Sequence, residues 1–414
     1  MTSLLSTRKA NSAFRTLTVS PATSKDFSSN DFLSLSTSPI LRTAYLSELN
    51  SHPNFRLGSG GSRLLDGNSF YAEQLEKEIA EFHGAEAALL FNSGFDANEG
   101  FFACVPQNGD AVVYDAFIHA SVHEGMRLSR ARRKIMFEHN SVEDLRRVLS
   151  EYLRDEDVRK GERNIFVAVE SLYSMDGDLC PLREIIELVE RMLPSGNGHV
   201  IVDEAHSNGI YGPQGRGIVC SLGLEDKVFA RLHTFGKAIG CNGAAILCSP
   251  LTREYLINYA RPLIYTTAMS FPSLAAIKVV YDLMKNGTTE PLISHLNSLI
   301  AHMYEQLLSL QPLIMQSSLL LLPQALPNSP IFALLTPEPR SLAKWCQGVG
   351  FVVRPIVPPT VPEGTQRVRV CLHAGNSKQD VDALVENIRG WLVVRGRVKL
   401  VEEKVESMEL KARL

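Results

Sequence analysis

The 414-residue chain contains no apolar run near the roughly 20 residues that span a bilayer. Its longest, Ser318-Leu319-Leu320-Leu321-Leu322, stops at Pro323 and reads as a buried strand. A basic excess is also missing. Lys and Arg number 42 against 45 Asp and Glu, a formal net charge of −3, which argues against a nucleic-acid or anionic-membrane binder. Paired cysteines are lacking: Cys104, Cys180, Cys220, Cys241, Cys248, Cys346 and Cys371 are scattered, odd in number and never in CxxC spacing. Neither a zinc site nor a disulfide framework is indicated, and the thiols read as buried in a reducing compartment. No GxxxxGK[ST] loop occurs, which removes the ATPase reading of Asp203-Glu204-Ala205-His206. Zinc binding through His206 fails for want of a second ligand at helical spacing.

What is present is ordinary for a globular protein: 45% hydrophobic and 21% charged residues, over a length that suits two domains. From about residue 70, short apolar runs alternate with amphipathic stretches. The runs are Ala87–Phe91, Ala111–Tyr114, Lys134–Phe137, Ile165–Val169, Val200–Val202, Val228–Ala230 and Ala244–Leu247, with helical spacing in Tyr71–His83, Val142–Tyr152 and Leu182–Met192. Continuous apolar strands alternating with helices predict an α/β fold, a mostly parallel seven-stranded sheet covered on both faces. Ligands on such sheets bind beyond the carboxyl ends of the strands, where Asp203, Glu170 and the turn Ser93-Gly94-Phe95 fall. After about residue 285 a helix at Pro291–Leu310 leads to strands at Ile331–Leu335, Phe351–Val353 and Val368–Leu372, then a helix at Lys378–Val393. The expected division is an N-terminal segment 1–57 contributing to the small domain and the substrate site, a large domain 58–288, a small α+β domain 289–396 and a helical tail 397–414.

Lys237 is the candidate reactive group. It stands in Thr234-Phe235-Gly236-Lys237-Ala238-Ile239-Gly240, where small neighbours allow close approach to the backbone. A desolvated lysine loses its proton more easily and becomes a nucleophilic amine, able to form a Schiff base with a carbonyl compound such as pyridoxal 5'-phosphate. That cofactor needs a carboxylate on its pyridine nitrogen, a phosphate cradle and a group against its ring. Asp203 ends an apolar run and supplies the first, with His206 three residues on, a spacing that suits the phenolic oxygen. Asn92-Ser93-Gly94-Phe95 opens a helix-like stretch and is the candidate cradle. Gly58-Ser59-Gly60-Gly61-Ser62-Arg63 does not match GxGxxG and reads as a loop near a ligand. His119 follows a strand and is placed to stack on the ring. Arg367 and Arg369 share a strand face, and an arginine pairs bidentately with a carboxylate.

Six ordered motifs carry a resemblance. Asp26-Phe27-Ser28-Ser29-Asn30-Asp31, Glu170-Ser171-Leu172-Tyr173-Ser174-Met175-Asp176-Gly177-Asp178, Asp203–His206, Thr234–Lys237, Ile264-Tyr265-Thr266-Thr267 and Pro359-Thr360-Val361-Pro362 together resemble the α-oxoamine synthases. These are fold-type I pyridoxal-phosphate enzymes that condense an amino acid with an acyl-CoA and release CO2. The resemblance implies Lys237 as the Schiff-base lysine and proton acceptor, Asp203 at the ring nitrogen, His206 and Ser174 at the phenolic oxygen, and His119 over the ring. It implies Ser93, Gly94, Phe95 and Thr234 as cofactor contacts, with Thr266 and Thr267 reaching the phosphate of a partner subunit in a homodimer. Arg369 is then the ligand of the amino-acid carboxylate, Asn30 and Thr360 line the substrate site, and Arg15 contacts substrate. No metal is implied.

Compact length and the Ser-Ser-Asn-Asp start resemble the biotin-pathway branch, which joins L-alanine to pimeloyl-CoA. Branches using another amino acid or a longer acyl chain stay open. Val357 replaces an arginine usual before the Pro-Pro-Thr-Val-Pro segment, and a bulky Leu64-Leu65 pair follows Gly61; both bear on the acyl chain. The two ends suggest different addresses. Residues 1–25 contain no Asp or Glu and resemble a mitochondrial transit peptide. Ala412-Arg413-Leu414 resembles a peroxisomal tail, so a peroxisome is expected, with mitochondrion or cytoplasm as the alternatives.

Overall fold

The structure is a computed structural model describing residues 1–10 and 14–413, with side chains described as far as Arg397. Twelve strands occur among the described residues: β1 Lys25–Asp26, β2 Ala87–Phe91, β3 Ala111–Asp115, β4 Arg133–Phe137, β5 Ile165–Glu170, β6 Gly198–Asp203, β7 Ala230–Thr234, β8 Ala244–Cys248, β9 Ile331–Leu335, β10 Phe351–Val352, β11 Arg354–Ile356 and β12 Arg367–Cys371. Seven of them form one sheet in the order β2-β8-β7-β6-β5-β3-β4. Only β8 runs antiparallel, against both β2 and β7. This is the predicted α/β architecture.

Side-chain alternation explains why the strands read as continuous apolar runs. Val113, Val167 and Val200 enter one buried cluster with Ile185 and Val189 of helix Leu182–Met192. Their neighbours Val112, Phe166 and Ile201 enter another with Phe101 of helix Gly94–Cys104. Both faces are covered, so neither tolerates charge without a partner. The six parallel strands share one carboxyl edge. Phe91, Asp115, Glu170, Asp203 and Thr234 end β2, β3, β5, β6 and β7 there.

Two expected strands are corrected. The run Val228–Ala230 is not a strand; pairing begins at Ala230 and continues through Arg231 and His233 to Thr234, opposite Cys248–Ala244. Those polar residues are buried because each has its own partner. Arg231 donates to the carbonyl of His83 at 3.0 Å, and His233 meets Glu204 at 3.1 Å. Ser318–Leu322 also fails as a strand. Ser318 ends helix Gln311–Ser317 in the left-handed region (φ 52°), Leu321 is exposed, and a single bridge joins it to Leu335. Cys220 and Cys241 are only partly buried, against the expectation of buried thiols throughout.

A second, antiparallel sheet has the order β11-β12-β9. β1 pairs in parallel with β10, Lys25 opposite Phe351, so the chain at residues 25–26 lies with the C-terminal strands. The last helix runs Lys378–Arg413, while Leu414, which closes the tripeptide Ala412-Arg413-Leu414, lies outside the described residues. Among the described residues no helix is long and apolar enough to cross a membrane.

Candidate active site

Between the carboxyl edge of the large sheet and β12 lies an open cavity of about 930 Å³. Lys237, His119, His206, Ser174, Asn30, Thr360 and Arg369 all line it. Seven separate segments of the chain therefore meet as the motifs predicted. The fold delivers each of them. Lys237 sits three residues beyond β7, His206 three beyond β6, His119 four beyond β3 and Ser174 four beyond β5, while Arg369 is central in β12.

Lys237 is half-buried, and its Nζ lies 2.7 Å from Nε2 of His206. Burial pulls its ammonium down to about 8, against the opposing pull of Asp203 and Glu170, with Arg369 adding to the fall. His206 is held well below its ordinary value by burial first, then by Lys237 and Arg369. A neutral imidazole accepts the lysine's proton-bearing nitrogen at Nε2, which leaves Nδ1 as the donor; that atom is buried without a partner.

Asp203 is fixed from two sides. Oδ1 accepts the Ala205 N–H at 2.9 Å, and Oδ2 accepts Asn98 Nδ2 at 2.8 Å. The same amide donates to Ser121 Oγ at 2.9 Å, and Ser121 Oγ reaches Nδ1 of His119 at 2.8 Å. Nδ1 of His119 also accepts the Ser121 N–H at 3.2 Å, capping helix Ala120–Leu128. Burial lowers the pKa of His119, with Asp203 pulling the other way. The ring is therefore neutral with its proton on Nε2, and its flat face is free to cover another ring.

Ser93, Gly94, Phe95 and Thr234 do not line the cavity, but Gly94 and Thr234 meet at the carboxyl edge of the sheet, Thr234 standing three residues before Lys237. Ser93 caps helix Gly94–Cys104 by accepting the Asp96 N–H at 3.1 Å. A side chain on Gly94 would come within 3.3 Å of Thr234, whose Oγ1 accepts the Gly236 N–H at 3.4 Å. The N-terminal end of that helix at Gly94 thus packs against Thr234 at the end of β7, a seat suited to a phosphate dianion. Thr266 and Thr267 line a different, small pocket with Arg63 and Asn92. Arg15 is exposed in the irregular stretch before β1 and lines no part of the main cavity.

The arginine pair separates. Arg367 is buried and bonded to the Asp176 carboxylate and the Met175 carbonyl. Arg369 donates from Nε to the Ser174 carbonyl at 2.6 Å and to Asn30 Oδ1 at 2.9 Å, both neutral acceptors. Its charge is left for a carboxylate. Sequence reasoning missed Asn98, His123, Phe117 and Glu363 in or behind the site, and assigned no role to Glu170. Asn98 carried one signal, its place four residues after Gly94 on the same helix. Glu170 is buried beside Asp203, directly opposite it in the β5–β6 pairing, and burial first, then Asp203, push its carboxyl well above the usual range.

Comparison with known proteins decides the family. A family model described as aminotransferase class I and II matches residues 24–388. The chain belongs to this family. Within the aminotransferase class I and II family it falls among the α-oxoamine synthases. It is 55% identical over 380 residues, 91% of this chain and 92% of the relative, to the 8-amino-7-oxononanoate synthase of Emericella nidulans. It is 42% identical over 374 residues, 88% and 80% of the two chains, to the aminoacyl transferase sphA of Aspergillus fumigatus. The serine palmitoyltransferase of S. paucimobilis, solved with a pyridoxal-phosphate adduct of myriocin, superposes with a TM-score of 0.79 at 25% identity, covering 91% and 88%. The chemistry of this site fits the same cofactor: a depressed lysine, a fixed carboxylate, an orphaned imidazole nitrogen and a helix N-terminus crowded against Thr234.

Proposed function

We propose that the protein is a pyridoxal-phosphate-dependent acyltransferase that condenses L-alanine with pimeloyl-CoA, giving 8-amino-7-oxononanoate, CoA and CO2. The single observation that carries this is the pairing of a lowered Lys237 amine with an Arg369 guanidinium that has no carboxylate of its own, in a chain 55% identical to a synthase of that name. Bound here, pyridoxal phosphate supplies an aldehyde that joins an amine and a ring that accepts the electron pair of an α-carbanion. The residues of this chain do the rest. Lys237 would hold the cofactor by its amine, and the same amine, when free, would take the proton from the amino acid's α-carbon. Asp203 would hold a proton on the ring nitrogen, its carboxylate direction fixed by Asn98 and the Ala205 N–H. Arg369 grips the alanine carboxylate bidentately, and Asn30 braces the guanidinium. The α-carbon bonds to the thioester carbonyl carbon as the C–S bond breaks and CoA leaves as thiolate; loss of CO2 from the β-keto acid then leaves an electron pair on that carbon, which takes back the proton held by Lys237.

The deciding experiment is a substrate panel on the purified protein. Alanine, glycine and serine are each combined with pimeloyl-CoA and with longer acyl-CoAs, reading CoA release and product mass. Alanine with pimeloyl-CoA is expected to dominate. The second reading is a longer acyl chain, supported by the likeness to a serine palmitoyltransferase and by the apolar Phe117, Val361 and Pro362 of the cavity; higher turnover with long-chain acyl-CoA decides for it. An α-keto acid product without CO2 release sinks both. We also infer a homodimer, because Thr266 and Thr267 face a pocket separate from the cavity; light scattering at one chain's mass refutes it.

A further inference from the structure

His139 lies just past β4, outside the cavity and outside every role assigned above. Its Nδ1 is 2.8 Å from Oδ1 of Asp115, and its Nε2 is 2.9 Å from Oδ2 of Asp178. Both acceptors are carboxylate oxygens, so both ring nitrogens donate, and an imidazole that donates twice is cationic. Burial opposes that charge, but the two carboxylates outweigh it and hold the imidazolium up to about 9.

The clamp ties two walls of the cavity together. Asp115 is fully buried at the end of β3 and accepts the N–H groups of Phe117 and Asn140, each at 2.8 Å. Asp178 closes the turn after β5: its carbonyl accepts the Tyr173 N–H at 3.0 Å, and its carboxylate accepts Asn140 Nδ2 at 2.7 Å. Asn140 holds a left-handed φ of 53° between them. The Phe117 ring stacks on His139 at 4.2 Å and 24°, and Tyr173 meets it edge-on at 4.5 Å. One face of Phe117 is thus held by a cation, while the ring stays 37% exposed and lines the cavity. A cation against an aromatic face is attractive, so the ring's plane is set by the charge behind it.

Alanine has three carbons, and its carboxylate is accounted for by Arg369. The apolar wall of Phe117, Ile118, Val361 and Pro362 has no work to do for so small a substrate. We propose that His139 is a positioning residue of the condensation, fixing Phe117 as the flat wall along which the acyl thioester lies. The inference rests on the acyl-transfer function proposed above.

The test uses the holoenzyme. His139→Gln keeps the bulk and loses the charge. Expected are a roughly tenfold rise in the KM for pimeloyl-CoA and in its dissociation constant measured calorimetrically without alanine. The KM for alanine and the visible absorbance of bound cofactor stay within twofold. In the wild type the acyl-CoA KM rises as pH passes about 9, and His139→Gln lacks that step. The groups facing His139 are Asp115, Asp178 and Tyr173; burial keeps the Tyr173 phenol well above its ordinary range, away from this window. Lys237 titrates near 8 and acts on both substrates alike, so a step confined to the acyl-CoA belongs to His139. Should His139→Gln fail to fold, Phe117→Leu leaves the clamp intact and raises the same two constants. Unchanged acyl-CoA constants in the folded variant overturn the proposal, and so does an equal rise for both substrates with loss of cofactor. A wild-type protein that neither binds acyl-CoA nor releases CO2 from alanine overturns the functional reading itself.

Discussion

At 2.7 Å, the contact between Lys237 and His206 links an amine near 8 to an imidazole that stays neutral. Below about pH 8 the amine carries a proton and cannot attack an aldehyde. The rate at which apoenzyme captures pyridoxal phosphate is therefore expected to rise through pH 8 and level off above it, followed as visible absorbance in a stopped flow. A rate that is flat from pH 6 to 10 refutes this, and Lys237→Ala should show no visible band at any pH. The two strand arginines differ in a comparable way. Arg369→Lys replaces a planar fork by a point charge, so the KM for alanine should rise by about ten- to a hundredfold, in line with the ~1.5–3 kcal/mol of a charged hydrogen bond. Arg367→Lys should lower the melting temperature and leave that KM alone, since Asp176 already takes its charge; the reverse pattern would exchange their roles. Period-two spacing made it legible that Arg367 and Arg369 share a face. That Asp176 engages only one of them was not legible, because the loop carrying it is placed by contacts far along the chain.

The strands were legible where burial on both faces leaves nothing but apolar residues, as in Ala87–Phe91 and Ile165–Val169. β7 was misplaced because Arg231 and His233 read as polar interruptions, and only the buried partners His83 and Glu204 make them acceptable inside a sheet. That shift matters to the site: the strand ends at Thr234, which brings its side chain against Gly94 at the start of helix Gly94–Cys104. Gly94 is needed there for room, with Thr234 at 3.3 Å and Leu232 at 3.7 Å from where a Cβ would stand. Gly94→Ala must push helix Gly94–Cys104 away from β7 by a few tenths of an ångström, an overpacking cost of about 1 kcal/mol. The expected readout is a several-fold weaker affinity for pyridoxal phosphate, measured by absorbance on dialysed protein, with a fold that still melts cooperatively. Unaltered affinity would show that this helix end takes no part in the phosphate seat.

Across the whole molecule, the substrate site depends on a segment that is distant in sequence from the domain it joins. Asn30 braces Arg369 at 2.9 Å only because the chain around it is built into the C-terminal strands. β1 pairs with β10, the Phe27 carbonyl accepts the Cys371 N–H at 2.8 Å, and the Phe32 carbonyl accepts the Ala374 N–H at 2.7 Å. His373 bonds to Ser29 at 3.0 Å and to the Asp26 carbonyl at 3.1 Å. Phe27 itself is fully buried against Phe351, ring centroids 5.9 Å apart. The motif around Asn30 was visible in the sequence, but a two-residue strand has too little pattern to reveal its partner. Phe27→Ala empties the packing under this segment and should cost about 3–5 kcal/mol, seen as a lower denaturant midpoint. Because the bonds to β12 and to His373 hold the segment's direction, its loosening should reach Arg369 first. The KM for alanine is then expected to rise several-fold, while the cofactor's visible absorbance persists, since Lys237, Asp203 and the helix at Gly94 belong to the large sheet. Loss of that absorbance with an unchanged alanine KM would show that the segment supports the cofactor side of the site and not the carboxylate side.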